Sequence, residues 1–126
     1  MTLTFARNSK IAFLFPGQGA QSVGMGLDLY EGSDSGRKVF EMVDEALGRP
    51  LSRIMFEGSE DDLRETKNAQ PGIMAVSLAC MEAMKENIAQ EFMPVPYLMA
   101  GHSLGEYTAL AASGVLSVMD TALLVQ

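Results

Sequence analysis

The most informative segment of this chain is Gly101-His102-Ser103-Leu104-Gly105. It lies between a short apolar run at 96–100 and an Ala-rich stretch at 106–112. This order predicts a strand, a sharp turn and a helix, the context in which a serine is lifted out of the fold as a nucleophile. Glycines suit the two flanking positions because larger side chains there would collide with the neighbouring strand and helix.

The same turn predicts an oxyanion hole. The backbone N–H of Leu104 starts the predicted helix, where the helix dipole adds positive potential. A second donor normally comes from another loop, and Gln18 is the best candidate because glycines flank it after the first predicted strand. A chance Gly-x-Ser-x-Gly is the alternative interpretation. The preceding strand, the following small-residue helix and the separate Gly-Gln-Gly loop favour Ser103 as a catalytic residue.

His102 is the only histidine in the chain, yet its position beside Ser103 argues against a role as the base. Adjacent residues in such a turn point to different sides, so its ring is poorly placed to take the serine proton. A place at the pocket wall, or a structural role, is the better interpretation. No Ser-x-x-Lys pattern offers a lysine base. The sequence also has no metal-ligand cluster and no phosphate-binding loop, so we expect no metal and no cofactor.

Composition indicates one globular domain and excludes several partners. The chain has 126 residues, 48% of them hydrophobic, and a formal net charge of −7. That charge argues against nucleic-acid binding, and no apolar stretch is long enough to span a membrane. The single cysteine, Cys80, allows no internal disulfide, which fits a cytoplasmic location, and we expect it to pack in the core. No Lys or Arg follows Lys85, so an anionic substrate would find no cation in the segment around the serine.

Periodicity and turn residues predict an α/β protein. The apolar run at 10–15 is typical of a parallel strand covered on both faces. Pro71 would occupy a first helical position, and the last helix has no stop signal, which suggests a piece of a larger domain. The predicted strands lie at 10–15 and 97–100, and the predicted helical segments at 25–30, 37–47, 51–56, 59–65, 73–88, 104–112 and 119–126, with a turn at 32–36.

Three motifs together resemble the malonyl-CoA:acyl carrier protein transacylase family. They are Phe-Pro-Gly-Gln-Gly-Ala-Gln at 15–21 with Gly-Met-Gly at 24–26, Gln-Pro at 70–71, and Gly-His-Ser-Leu-Gly-Glu-Tyr at 101–107. Their order and spacing match over essentially the whole chain. The acyltransferase domains of polyketide and fatty acid synthases share much of this pattern, but the form of the serine motif looks more like the stand-alone bacterial enzyme.

The resemblance implies a fold and a site. Residues 1–126 would be the N-terminal part of a large α/β-hydrolase-like subdomain, a core with a short parallel sheet and surrounding helices, truncated before a ferredoxin-like subdomain. Ser103 would be the nucleophile and the N–H groups of Gln18 and Leu104 the oxyanion hole. The substrate pocket would be lined by Gly17, Gln70 and His102.

The resemblance also implies the reaction. A malonyl group would pass from malonyl-CoA to Ser103 and then to the phosphopantetheine thiol of acyl carrier protein. The remainder of the enzyme would supply an arginine for the malonyl carboxylate, two residues after Gln126, and the histidine base. The alternatives are a serine esterase or thioesterase with the same turn, a polyketide synthase acyltransferase domain, and an inactive truncated module that binds a partner.

Overall fold

A computed structural model describes residues 10–126 of the chain. Two strands and seven α-helices are present in this range, and the predicted α/β class is confirmed. The elements, in chain order, are β1 (Ala12–Phe15), α1 (Leu27–Gly32), α2 (Asp34–Leu47), α3 (Leu51–Glu57), α4 (Glu60–Arg64), α5 (Thr66–Asn87), a 3₁₀ turn (Gln90–Phe92), β2 (Leu98–Gly101), α6 (Leu104–Ala112) and α7 (Val118–Val125).

The two strands pair in parallel, as the sequence predicted. The pairing runs from Ala12 opposite Leu98 to Phe15 opposite Gly101. One more bond continues it, since the His102 N–H donates to the Phe15 carbonyl at 3.1 Å. A parallel pair needs a long crossover connection, and helices α1 to α5 fill it. The end of β1 therefore lies beside the turn that carries the serine.

The hydrophobic core lies mainly between α2 and α5. The apolar spacing in α2 predicted its buried face, and that prediction is confirmed. Gly48 follows α2 with φ 63° and provides the predicted left-handed stop. The core residues that the two helices provide include Val39, Phe40 and Val43 of α2 and Ile73, Met74 and Leu78 of α5.

Helix α2 begins earlier than predicted, at Asp34, because a serine caps it. The Ser33 hydroxyl accepts from the Gly36 N–H at 2.9 Å, so the segment predicted as a turn already contains the first helical residues. Glu86 of α5 reaches the same end and accepts from the Ser35 N–H at 2.7 Å and the Ser33 hydroxyl at 2.8 Å. These two bonds, the first being the stronger cause, lower the pKa of Glu86 from 4.5 to about 2.

Helix α5 also begins earlier than predicted, since Pro71 lies inside it rather than at its start. Proline has no N–H, so the carbonyl four residues before it, that of Lys67, lacks its usual helical donor. The Arg49 guanidinium replaces that donor at 2.7 Å. It also donates to the Asn68 side chain at 2.6 Å. A tertiary contact thus allows the helix to begin at Thr66.

Two predictions of burial are wrong for the described residues. Leu14 of β1 is 75% exposed, whereas Phe15 at the end of the strand is buried. Cys80 on α5 is exposed rather than packed in the core. Helix α6 packs against both strands, but residues 10–126 do not enclose Leu14 or the α5 surface around Cys80. No helix in this range is long and apolar enough to cross a membrane.

Candidate active site

The turn between β2 and α6 has the strained backbone expected of a nucleophile. Ser103 has φ 54° and ψ −111°, and within residues 10–126 it is the one non-glycine residue with a positive φ. Such a conformation costs about 1–3 kcal/mol and persists where the surrounding structure imposes it. The Ser103 side chain is exposed. The predicted strand–turn–helix geometry is therefore confirmed.

The two glycines of the motif are required by close backbone contacts. A Cβ on Gly101 would collide with the carbonyl of Gly105 at the start of α6, and a Cβ on Gly105 would collide with the carbonyl of Phe15 at the end of β1. The collisions inferred from the sequence are thus present. Because the strand and the helix are in contact at these glycines, the serine between them is left exposed at the turn.

His102 lies against the loop that follows β1. A Cβ on Gly17 would lie 2.7 Å from the His102 carbonyl oxygen and 3.0 Å from its Nδ1. The same carbonyl accepts from the Gly105 N–H at 3.0 Å. The structure therefore brings Gly17 and His102 into contact in the segment beside Ser103. The resemblance implies that both line the substrate pocket, and that role stays a prediction. The imidazole is turned toward the loop.

The loop at 16–21 is anchored by side-chain hydrogen bonds. The Gln18 Nε2 donates to the Thr66 hydroxyl at 3.2 Å, and the Gly19 N–H donates to the Gln21 Oε1 at 2.7 Å. Thr66 is the first residue of α5, and Gln70 follows one turn later on the same helix, half-buried. Sequence reasoning missed Thr66 because nothing in its own segment indicates that the loop reaches it.

The electrostatics of the turn favour an anion more through dipoles than through charges. Leu104 occupies the first position of α6, where the N–H has no intrahelical acceptor and the helix dipole is positive. Glu106 stands in the same first turn and is exposed. No Lys or Arg occurs after Lys85. Within residues 10–126, no three side chains among His, Cys, Asp and Glu lie close enough to bind a metal ion.

This arrangement can present a serine hydroxyl to an acyl group. It places the serine at a helix N-terminus and a glycine-rich loop against the neighbouring His102, which are features of serine acyl-transfer sites. A base for the serine is not provided by its neighbours, since the ring of the chain's single histidine faces the loop.

Comparisons with known proteins identify the family of the chain. The family model described as the acyl transferase domain matches residues 12–126. A malonyl CoA-acyl carrier protein transacylase of Bacillus subtilis (strain 168) is 48% identical over 112 residues, which cover 89% of this chain and 34% of the relative. The same enzyme of Haemophilus influenzae is 40% identical over 117 residues, 93% of this chain and 36% of the relative. The chain thus spans about a third of the length of these relatives.

Solved structures give the same result. The acyl-carrier-protein S-malonyltransferase of Bartonella henselae matches with a TM-score of 0.85 and 49% identity, covering 93% of this chain and 37% of that one. A malonyl-transacylase solved in complex with a type II PKS acyl-carrier protein matches with a TM-score of 0.84 and 37% identity, over 93% and 37% of the two chains. The fold, the serine turn and the matched family model together show that this chain belongs to the acyl transferase domain family.

Proposed function

We propose that this chain is the N-terminal part of a malonyl-CoA:acyl carrier protein transacylase of fatty acid biosynthesis. The Ser103 Oγ attacks the malonyl-CoA thioester carbonyl, the C–S bond breaks, and CoA leaves as the thiol with the serine proton. The phosphopantetheine thiol of acyl carrier protein then attacks the acyl-serine ester and releases the hydroxyl. Such covalent catalysis divides one difficult transfer into two easier ones.

The backbone of Ser103 is the observation that carries this proposal. Its φ of 54° occurs between the close backbone contacts of Gly101 and Gly105, and strain of this kind is concentrated at functional sites. The N–H groups of Gln18 and Leu104 complete the proposal as the oxyanion hole. One such donor contributes about 3 kcal/mol of transition-state stabilisation.

The remaining groups come from the rest of the enzyme in this proposal. A malonyl carboxylate calls for a guanidinium, which pairs with it through two parallel hydrogen bonds. The serine calls for a histidine base, and His102 lies against Gly17 instead. Gly17, Gln70 and His102 line the substrate pocket in this proposal.

A chimera tests the proposal directly. Residues 12–126 replace the matching segment of the Bacillus subtilis transacylase, and the product is incubated with malonyl-CoA and holo acyl carrier protein. We expect malonyl transfer and a malonyl adduct on Ser103 in the intact mass. S103A should lower the rate by at least about a thousandfold. The matched control is S113A, which removes an exposed hydroxyl from the other end of α6.

The outcomes separate the alternatives. Transfer to a fatty acid carrier, with little hydrolysis of p-nitrophenyl esters, supports the proposal. Ester hydrolysis without transfer indicates an esterase or thioesterase, and a clear preference for a polyketide carrier indicates a synthase acyltransferase domain. A folded chimera without an adduct contradicts a role of Ser103 as nucleophile and leaves a binding module.

The 126-residue chain alone is expected to have no measurable transacylase turnover. No Lys or Arg after Lys85 can receive the malonyl carboxylate, and the ring of His102 lies against Gly17, so the serine turn itself does not activate the hydroxyl. Incubating the chain with malonyl-CoA and following its intact mass checks this. Rapid, stoichiometric labelling of Ser103 would show that the chain activates its serine unaided.

A further inference from the structure

We propose that Thr66 is a positioning residue, which holds the Gln18 loop so that the Gln18 backbone N–H faces the acyl group on Ser103. This inference rests on the proposed acyl transfer. It starts from the bond between the Gln18 Nε2 and the Thr66 hydroxyl at 3.2 Å. That bond joins the loop after β1 to the first turn of α5, two segments far apart in the sequence.

Within residues 10–126, the side-chain hydrogen bond of the Thr66 hydroxyl is the one that it accepts from Gln18, and none joins it to its own helix. Thr66 follows the N-cap residue Glu65, and that cap makes no side-chain bond to the helix. The Thr66 side chain is also exposed, so it fills no space in the core. Replacing it with valine keeps its shape and should leave α5 intact. A loss of activity in such a variant would therefore report on the loop.

The loop has two anchors, one beside the serine and one at the first turn of α5. Beside the serine, the His102 N–H donates to the Phe15 carbonyl at 3.1 Å, and Gly17 packs against His102. At α5, the Gln18 side chain is tied to Thr66. Gln18 follows the Gly17 contact directly and its own side chain makes the second one, so the direction of its backbone N–H depends on both.

The same helix turn connects this anchor to the pocket. Residues four apart share a helix face, so Thr66 and Gln70 face the same side of α5. The bond to Thr66 therefore also fixes the distance between the loop and Gln70, whose side chain is proposed to line the pocket. The bond would align an oxyanion donor and a pocket wall together.

Kinetics of the chimera test the assignment. Because an oxyanion donor acts in the transition state, T66V should lower kcat with little change in KM for malonyl-CoA. The loss of one hydrogen bond predicts a fall of about twofold to tenfold. T66S keeps the hydroxyl and should retain the full rate. K67A alters the neighbouring exposed side chain and should also retain it.

A double-variant cycle identifies the partner. Q18M removes the side-chain donor and keeps its length. If the two groups act through one bond, the Q18M/T66V chimera is no slower than the worse single variant. An unchanged kcat in T66V, an equal loss in T66S, or additive losses in the cycle would each overturn the assignment. An inactive unsubstituted chimera would instead count against the proposed function.

Relaxation measurements on the 126-residue chain give a readout that needs no activity. Backbone ¹⁵N order parameters of Gln18 and Gly19 report the rigidity of the loop on the ps–ns timescale. We expect them to fall in T66V and to recover in T66S. Order parameters that stay the same in T66V would show that the bond does not hold the loop, and the assignment would fail whatever the chimera does.

Discussion

At the scale of residues, the serine turn shows what a short motif can and cannot specify. The need for glycine at 101 and 105 is readable from the sequence because it depends only on the volume available in a strand-to-helix turn. The role of Thr66 is not readable in that way. It depends on where α5 begins and on the path of a loop from the far end of the chain.

The strained backbone at Ser103 should lower the free energy of unfolding of the chain. Glycine adopts a φ of 54° without steric cost, whereas alanine does not. S103G should therefore be more stable than S103A by about 1 kcal/mol, the relief of strain less the greater entropy of an unfolded glycine. Urea unfolding of the two variants measures the difference.

A second serine provides the matched control with the opposite sign. Ser113 has φ −83°, which any residue adopts easily. S113G should therefore be less stable than S113A by about 0.5–1 kcal/mol. Equal stabilities of S103G and S103A would indicate that the turn relaxes and stores no strain.

At the scale of elements, boundaries were harder to predict than the elements themselves. Periodicity located α2 and the glycine pattern located the serine turn, because both signals are local. The predicted start of α5 was wrong because a contact with another part of the chain allows the helix to begin earlier. A proline inside a helix normally leaves a carbonyl without a donor, and here Arg49, from the segment after α2, supplies the donor.

Arg49 and Pro71 should be energetically coupled. R49M keeps much of the apolar stem but leaves the Lys67 carbonyl without its donor, so we expect a loss of about 1–3 kcal/mol in the free energy of unfolding. In a P71A background, the new N–H can donate to that carbonyl, and the loss should be smaller. Urea unfolding of the four proteins measures the coupling.

The control for this cycle is R53M. Arg53 forms an exposed pair with Glu57 at 3.6 Å, and exposed pairs contribute little, so its loss should stay within about 0.5 kcal/mol. If R49M costs the same with proline and with alanine at 71, the guanidinium does not compensate for the proline.

Glu86 should make the junction of α5 and α2 sensitive to acid. Its pKa is lowered to about 2 in the folded chain against 4.5 for the ordinary group. A lowered pKa means that the carboxylate stabilises the fold above about pH 4.5 and loses this contribution as the pH falls toward 2. E86Q should accordingly be less stable than the parent chain at pH 7.

Unfolding at a series of pH values tests this assignment. The gap between E86Q and the parent chain should be constant from pH 7 to about pH 5 and should close between pH 4.5 and pH 2, following the two pKa values. A gap that does not change with pH would show that shape, and not charge, makes the contact.

At the scale of the whole molecule, the described residues leave apolar strand surface uncovered. Leu14 of β1 is 75% exposed and Tyr97 before β2 is 72% exposed. The sequence predicted a covered strand from the apolar run alone, but such a pattern cannot say which segment provides the cover. The solved relative from Bartonella henselae is matched over 37% of its length, so most of that protein lies outside the matched part.

The 126-residue chain alone should self-associate through these strands. Neither strand contains a charged residue, and uncharged open edges are templates for pairing. L14K should weaken the association while changing the free energy of unfolding by less than about 0.5 kcal/mol, since Leu14 is 75% exposed. Sedimentation velocity over a range of concentrations measures the association.

The control for association places the same charge elsewhere. A20K adds a lysine at an exposed position in the loop after β1 and should leave the association nearly unchanged. A similar weakening by both variants would show that net charge, and not the strand surface, governs the association.

The parallel register has a consequence for how the chain is made. Ala12 of β1 pairs with Leu98 of β2. The ribosome therefore synthesises the five helices α1 to α5 before β1 can pair, and chaperones can bind β1 during that time. Long-range pairing of this kind slows folding. The close contact between Gly105 and the Phe15 carbonyl forms only after that pairing. Ser103 therefore acquires its strained backbone conformation at the end of folding. A folding intermediate in which α2 and α5 are already packed would still not react with an acyl donor at Ser103.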